Sequence, residues 1–251
     1  MKKLMRISER ILLESLIVGE QIFNVVKKPF RDRFKRNYWL FPWLYHEISI
    51  GRTINYLLKT TDIEKVVEKG KSYYKLTGRG KEKLYRKYPV LDLAKKEWDG
   101  KWRVVIFDIP EKKRQKRDNL RYKLKQLGFG QWQESVYITP HDIGRDLHEA
   151  LEIMGLLPFV FVSEVKQTEG MDSKELSNKV WKLKDLENRY YQWILRAEKI
   201  LELKDLKKTD IEQLFNEYEM ILLEDPALPE QLLPGDWPSH QAEELIKKFY
   251  E

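Results

Sequence analysis

The chain has 251 residues, no cysteine and a net charge of +7, from 47 Lys and Arg against 40 Asp and Glu. The lack of cysteine excludes disulfides, thiolate zinc sites and cysteine nucleophiles, and no apolar run approaches the roughly 18 residues of a membrane span. Residues 1–100 hold 23 basic and 12 acidic residues, whereas residues 169–251 hold 12 and 19, which predicts a polyanion-binding surface in the N-terminal third. The alternative is that the basic and acidic thirds face each other within the molecule.

The pattern of the N-terminal segment, residues 8–26, indicates a helix rather than a targeting signal. Apolar residues recur at helical spacing over residues 8–26, with Ser8 as the expected N-cap. Glu9, Arg10 and Glu14 interrupt the apolar stretch and no small-residue cleavage site follows it, which argues against a signal peptide. We therefore expect a soluble, cytoplasmic protein without a membrane partner.

A second helix is predicted over residues 50–59, with Ser49 as its N-cap. Ile54 and Leu57 lie on its inner side. Its other side carries polar and aromatic side chains, namely Arg52, Thr53, Asn55, Tyr56 and Lys59. A helix of about ten residues fits the major groove of DNA, where such side chains can reach base edges.

A charged hairpin follows this helix. Residues 63–68 and 72–77 read as strands around the turn Lys69-Gly70-Lys71, and a basic helix is predicted over residues 81–87. This layout predicts a winged helix-turn-helix domain over residues 1–94, with Lys69 and Lys71 placed to contact phosphates. The alternative is a small α+β domain whose exposed helix is merely solvated or binds a protein.

The central block, residues 95–168, predicts a ferredoxin-like domain. Residues 104–107 form an apolar run typical of a strand buried on both faces. A very basic helix then runs to Gly128, which is expected to end it in a left-handed conformation. Residues 133–139 and 159–165 predict two further strands, and residues 143–154 a second helix. The basic helix could contact DNA or be simply solvated.

The last third, residues 169–251, is predicted to be helical. The spacing of apolar residues indicates helices over residues 174–204, 211–224 and 242–250. Between the last two lies a proline-rich connector at residues 225–238, whose Leu and Trp residues must pack on something. Trp181, Tyr190 and Trp193 could line an acyl pocket, although core packing is the commoner role of such side chains. The whole chain is therefore assigned to the α+β class.

Three stretches of the chain resemble the phenylacetate-catabolism repressor family (PaaX-like transcriptional regulators). They are WRVVIFDIPEKKRQKRDNLRYKLKQLGFGQWQESVYITP, LSNKVWKLKDLENRYYQWI and DPALPEQLLPGDWP. The resemblance implies the same three domains and a homodimeric repressor that binds a palindromic operator in double-stranded DNA. It also implies release from DNA by a small-molecule inducer, an aryl-acetyl-CoA thioester, whose phosphates the basic helix of the central block could contact. No cofactor is expected apart from this effector.

The resemblance also bears on single residues. The segment from Lys69 to Tyr74 matches the wing of the family, which adds Tyr73 to the expected DNA contacts, and residues 49–59 fall where the recognition helix should be. No short motif marks residues that bind the inducer. The segment SIGRTINYLLKT departs from its relatives in having only Arg52 and Lys59 as long basic donors, so the operator is not inferred from relatives.

The central block is also similar to the small CRISPR-associated adaptation endonuclease, whose first strand likewise ends in an aspartate. That aspartate corresponds to Asp108. In such nucleases a pair of aspartates across a dimer could hold one Mg²⁺ or Mn²⁺ ion that activates water. The alternative role for Asp108 is a carboxylate that interacts with the N-terminus of the following helix, and a third hypothesis for the protein is a structural adaptor. The histidines show no metal spacing, and a solvated surface is expected for His141 and His148.

Overall fold

The computed structural model describes residues 7–17, 47–68, 71–88, 90–93, 97–166, 170–203 and 208–249. These residues form ten helices and two antiparallel sheets, which confirms the α+β class. The chain divides into two compact units. One comprises Met1–Lys87, Arg189–Leu223 and Pro238–Glu251, and the other comprises Tyr88–Asn188 and Glu224–Trp237. The three-domain division at residues 94 and 168 stays a prediction.

The first unit begins with the helices and hairpin foreseen in the sequence. Its elements are α1 (Ile7–Ile17), α2 (Glu47–Lys59), β1 (Ile63–Glu68), β2 (Lys71–Leu76) and α3 (Gly78–Lys87). The hairpin pairs Ile63 with Leu76 and Glu68 with Lys71 in an unbroken antiparallel register. Its core includes side chains that are almost completely buried, namely Ile11, Leu12, Leu57, Leu76 and Leu84.

Three predicted helix starts in this region are wrong. α1 begins at Ile7, so Ser8 lies within the helix and is not its N-cap. α2 begins at Glu47, so Ser49 lies in its first turn and is not its N-cap. α3 begins at Gly78 because the Thr77 hydroxyl accepts a hydrogen bond of 3.1 Å from the backbone N–H of Gly80, which caps the helix. The predicted helix over residues 8–26 is described only as far as Ile17, and the remainder lies outside the described residues.

The second unit contains a four-stranded sheet with two helices on one face. In chain order its elements are α4 (Val90–Leu93), β3 (Trp102–Phe107), α5 (Arg114–Gln126), β4 (Gly130–Gln133), β5 (Val136–Thr139), α6 (Gly144–Met154), β6 (Val160–Val165) and α7 (Ser173–Trp181). The strand order is β4-β5-β3-β6, with every pair antiparallel. Residues of α5 and α6, including Leu120, Leu124 and Leu147, form one core with Val105 and Tyr137 of the sheet. Gly128 has φ of +80°, which confirms the expected left-handed end of α5.

The strand predicted over residues 133–139 is instead a hairpin, because Glu134 and Ser135 form a turn between β4 and β5. The other face of the sheet carries a second core. There Trp102 and Ile138 pack with Leu176 of α7 and with Leu228, Leu232 and Leu233 of the proline-rich connector. This confirms that the leucines of the connector are packing residues.

β3 is not buried on both faces along its whole length, which corrects the prediction. Ile106 is 44% exposed, and its partner on β6, Phe161, is 62% exposed. The second core therefore covers only the end of the sheet that carries Trp102.

The helix predicted over residues 174–204 is broken into two. Lys182 has φ of +52° and separates α7 from α8 (Leu183–Glu202). Two further helices follow, α9 (Lys208–Glu224) and α10 (Ser239–Lys248). Trp193 of α8 is buried, donates its indole N–H to the carbonyl of Leu214 at 2.8 Å and packs on Tyr218. Trp193 therefore serves the helical core. No helix within the described ranges is long and apolar enough to cross a bilayer.

Candidate nucleic-acid interface

The polar side of α2 is a continuous exposed stripe. Arg52, Asn55, Tyr56 and Lys59 are all exposed and lie at positions i, i+3, i+4 and i+7, which place them along one side of a helix. Ile54 and Leu57 are buried on the opposite side, and Thr53 is half-buried. The predicted contact residues from Arg52 to Lys59 thus lie together, with Thr53 at the margin. We refer to Arg52, Asn55, Tyr56 and Lys59 as the α2 stripe.

The long polar side chains of the α2 stripe are not engaged within the protein. In the part of the chain that the structure describes, Arg52, Asn55 and Lys59 make no hydrogen bond or ion pair. Tyr56 makes one cation–π contact within the described residues, with the ammonium of Lys83, which lies 5.4 Å from the centre of its ring. Unpaired cations and amides on one helix face can bind phosphates and base edges without first breaking internal contacts.

Four of the predicted DNA contacts are not placed by the structure. Lys69 lies outside the described residues. Lys71 and Tyr73 belong to β2, and Ser49 belongs to α2, but their side chains are not described. The hairpin that carries the wing residues is present, with Glu68 paired to Lys71 at the last described step of the ladder.

A buried carboxylate joins α2 to α3. Asp62 lies three residues after the end of α2, and its side chain is only 1% exposed. It accepts hydrogen bonds from the hydroxyl of Thr60 at 2.7 Å and from the ammonium of Lys83 at 2.5 Å, and Arg79 Nε lies 3.7 Å from its other oxygen. The sequence analysis missed Asp62, Arg79 and Lys83. The only signal was the spacing of Arg79 and Lys83 four residues apart on α3.

The backbone around Asp62 is packed equally tightly. The Asp62 carbonyl accepts the backbone N–H of Thr77 at 3.1 Å and the Thr77 hydroxyl at 3.0 Å. A Cβ added to Gly80 would lie 2.1 Å from the same carbonyl oxygen and 2.6 Å from Leu76 Cδ1. Only glycine fits at position 80, so the α2–β1 junction, β2 and the start of α3 form one fixed arrangement beside the α2 stripe.

The basic helix α5 has a different character, because most of its charges are held internally. Lys116 donates to the carbonyl of Met154 at 2.8 Å, and Arg117 donates to Glu111 at 2.9 Å. Arg121 lies 3.3 Å from Glu134 and 3.5 Å from Asp118, and Arg114 lies 3.9 Å from Asp118. Within the described residues, Lys123 and Lys125 are the two basic side chains of α5 without such a partner.

A second charged cluster lies on β3, its neighbour β6 and the loop before β3. Arg103 on β3 is 4% exposed and donates to both carboxylate oxygens of Asp99, at 2.8 and 2.6 Å. The hydrogen bond from Arg103 lowers the pKa of Asp99, and the hydrogen bond from Lys101 lowers the pKa of Glu164. These charges serve to hold β3, β6 and the loop before β3 together.

Asp108 is exposed at the end of β3. Its backbone N–H donates to the carbonyl of Phe159 at 3.0 Å, whereas its carboxylate has no partner in the described ranges. The 3-10 turn that follows begins at Glu111, is preceded by Pro110 and has no side-chain cap hydrogen bond, so Asp108 does not cap it. A weaker interaction of Asp108 with the dipole of the following helix stays a prediction. Among the described residues no group of three His, Asp or Glu side chains could hold a metal ion. A lone carboxylate per chain is a weak site for Mg²⁺ or Mn²⁺ unless a second subunit supplies another, so the nuclease alternative with Asp108 across a dimer stays a prediction.

The histidines also depart from expectation. His141 is 3% exposed, and its Nε2 lies 3.3 Å from the carbonyl of Pro226, so it is a packing residue and not a solvated one. His148 is exposed on α6, as predicted.

Comparisons with known proteins concern almost the whole chain. Residues 95–177 match the family model of the PaaX protein central Cas2-like domain, and residues 181–251 match that of the PaaX-like protein C-terminal domain. The chain is 27% identical to the transcriptional repressor PaaX of Escherichia coli over 259 aligned residues, which cover 96% of this chain and 71% of the repressor. An uncharacterized protein, Rv0674 from Mycobacterium tuberculosis, has a similar solved structure with a TM-score of 0.56 and 17% identity, over 96% of this chain and 94% of that one. At that identity the likeness concerns the fold alone.

Proposed function

Because the chain belongs to the PaaX family, we propose that it is a transcriptional repressor that binds double-stranded DNA through the α2 stripe. The main support for this DNA-binding face is that Arg52, Asn55 and Lys59 are exposed on one side of α2. None of the three has an internal partner among the described residues. A second support is the position of this helix directly before the β1–β2 hairpin. In a winged helix-turn-helix domain, the recognition helix occupies the major groove and the hairpin contacts the flanking backbone.

Each residue of the stripe has a distinct chemical role in this proposal. Arg52 presents a planar donor fork that suits the O6 and N7 acceptors of guanine, and Asn55 presents the donor and acceptor pair that suits adenine. Lys59 at the last turn of α2 would neutralise a phosphate, as would Lys69 and Lys71 of the wing. Tyr56 would contact a thymine methyl group or the backbone, with Ser49, Thr53 and Tyr73 at the margins of the interface.

We further propose that the repressor acts as a homodimer on a palindromic operator and that an acyl-CoA inducer releases it. Both points come from the family resemblance. A two-fold symmetric dimer would place two copies of α2 on half-sites about one helical turn, or roughly 34 Å, apart. The central domain would be ferredoxin-like, and the strand order β4-β5-β3-β6 with α5 and α6 on one face supports this.

The proposal is tested by binding of the full-length protein to duplex DNA from its own upstream region, compared with scrambled duplex at about 150 mM salt. Specific regulators prefer their site over non-specific DNA by about a thousandfold or more. We expect a preference in that range and its loss on addition of the inducer. Equal affinity for the operator region, for scrambled DNA and for a random-sequence pool after selection would contradict the proposal.

A further inference from the structure

The Asp62 carboxylate has two neighbours that are cations and one that is a hydroxyl. Its Oδ2 accepts hydrogen bonds from Lys83 at 2.5 Å and from Thr60 at 2.7 Å, and its Oδ1 has Arg79 Nε at 3.7 Å. A carboxylate that is 1% exposed must be paired to be tolerated in the interior. Lys83 and Arg79 are 46% and 69% exposed, so they reach Asp62 from the surface of α3.

Lys83 connects this buried group to the α2 stripe. Its ammonium lies 5.4 Å from the centre of the Tyr56 ring, within the range of a cation–π contact. Tyr56 is 53% exposed and makes no other hydrogen bond or ring contact in the described part of the chain. The cation that lies over this exposed ring is therefore one that Asp62 holds in place.

The same pairing makes the charges of Lys83 and Arg79 less available to DNA phosphates. Non-specific affinity depends on how many phosphates the protein neutralises, and it is insensitive to sequence. A cation that is paired with a buried carboxylate contributes less to that term than a free one. Asp62 thus has two effects on the interface: it fixes the Tyr56 ring, and it reduces the charge that binds any DNA.

From this geometry we propose that Asp62 is a positioning residue for DNA readout, which holds Lys83 across Tyr56 and keeps Lys83 and Arg79 from phosphates. The inference rests on the proposed function of the α2 stripe. Asp62 itself does not touch DNA. Its effect on sequence specificity is exerted through Lys83, Arg79 and Tyr56.

The first test is the Asp62→Asn variant, measured on operator and scrambled duplexes over a series of salt concentrations. Each additional phosphate contact steepens the dependence of log K on log salt by about 0.9. We expect a slope on scrambled DNA that is steeper by about 1 to 2, because Lys83 and Arg79 are released. We also expect a preference for operator over scrambled DNA that is lower by about tenfold, because the Tyr56 ring is no longer fixed.

A matched control and a second variant separate this role from a change in net charge. Glu82→Gln on the same helix adds the same charge, but Glu82 is exposed and has no partner within the described residues. We expect it to leave the preference for operator unchanged. Lys83→Gln removes the cation from Tyr56 without releasing a charge, so the preference should fall while the salt slope does not steepen. This variant also keeps the test decisive if Asp62→Asn fails to fold.

A measurement without DNA tests the positioning directly. The aromatic ring current of Tyr56 should shift the Lys83 side-chain methylene proton resonances upfield, and Asp62→Asn should return them toward the values of a free lysine. A wild-type protein without preference for any duplex would overturn the proposed function. The inference would be overturned, with the proposed function left standing, if Asp62→Asn and Lys83→Gln both kept the wild-type preference for operator and Asp62→Asn did not change the Lys83 resonances.

Discussion

The helices α2 and α5 differ in how many of their basic side chains have an internal partner, and this difference does not follow the number of basic residues on each helix. α5 carries six Lys and Arg residues and α2 carries two. Four of the six on α5 lie against Asp118, Glu111, Glu134 or the carbonyl of Met154, whereas both on α2 are unpaired in the described chain. A charge with an internal partner must lose that partner before it can gain a phosphate. The proposed function therefore assigns DNA binding to α2 from the pairing of its side chains rather than from the number of basic residues.

The largest expected effect is on folding, from the apolar side of α5. Leu124 is fully buried in the core between α5 and the sheet. Leu124→Ala should lower the free energy of unfolding by about 2–5 kcal/mol, through lost burial and the cavity left behind. Denaturant titration measures this loss. The folded fraction should bind operator DNA as tightly as the wild-type protein, and a specific loss of DNA affinity would break the comparison.

Arg52→Ala is expected to have the next largest effect, this time on DNA binding. Loss of a bidentate base contact should weaken binding to the operator by about 1–3 kcal/mol and relax specificity at one base position. Fluorescence anisotropy with single-base operator variants measures both. Arg121→Ala on α5 is the matched control, because Arg121 is already paired with Asp118 and Glu134. Equal weakening on all sequences would instead identify Arg52 as a phosphate contact.

Lys59→Ala tests whether α2, unlike α5, contributes a single phosphate contact. Lys59 is exposed and unpaired in the described residues, as is Lys125 on α5. Removal of Lys59 should make the salt dependence of binding shallower by about 0.9 in log K per log salt, on operator and scrambled duplex alike. The same change at Lys125 should leave the slope unaltered. A shallower slope for Lys125→Ala would show that α5 also faces DNA.

The smallest expected effect concerns the paired charges of the second unit under acid conditions. The pKa of Asp99 is lowered below its ordinary value of 3.8 by the hydrogen bond from Arg103. A lowered pKa means that Asp99 contributes stability above that ordinary value, and that the contribution is lost as the pH falls through the lower folded-state pKa. Thermal unfolding between about pH 5 and pH 2 should show this loss, and Asp99→Asn should reduce it. Because Asp99 is partly exposed, solvent limits the contribution to at most about 1 kcal/mol.

Local patterns in the sequence were enough to predict much of the fold and the α2 stripe. The bounds of β1 and the inner side of α2 follow from spacing alone, since period 2 and period 3.6 patterns are local. The left-handed end of α5 follows from Gly128 for the same reason. The hairpin of β4 and β5 was missed because residues 133–139 are β-prone throughout, and their turn contains Glu134 and Ser135 rather than Gly or Pro.

Contacts between distant residues account for the other failures. Asp62 meets Lys83 from 21 positions away, and His141 meets Pro226 from 85 positions away. The spacing of residues within a short segment cannot predict partners that are so far apart in the sequence. The pairing of the α5 charges was hidden for the same reason, because Glu134 and Met154 lie in other elements. The break between α7 and α8 places Lys182 in the left-handed region of backbone conformation. Residues other than glycine rarely adopt this conformation, so the sequence did not indicate a break there.

The most direct test of the central claim is a comparison of two triple variants that remove unpaired polar side chains from the two regions. One variant combines Arg52→Ala, Asn55→Ala and Lys59→Ala. The other combines Lys123→Ala and Lys125→Ala on α5 with Lys112→Ala in the turn before α5, where Lys112 is exposed and unpaired within the described residues. Binding of both to operator and scrambled duplex is measured at about 150 mM salt. The account predicts that the α2 variant loses its preference for operator while the other variant retains it. Retained preference in the α2 variant, with loss in the other, would contradict the account.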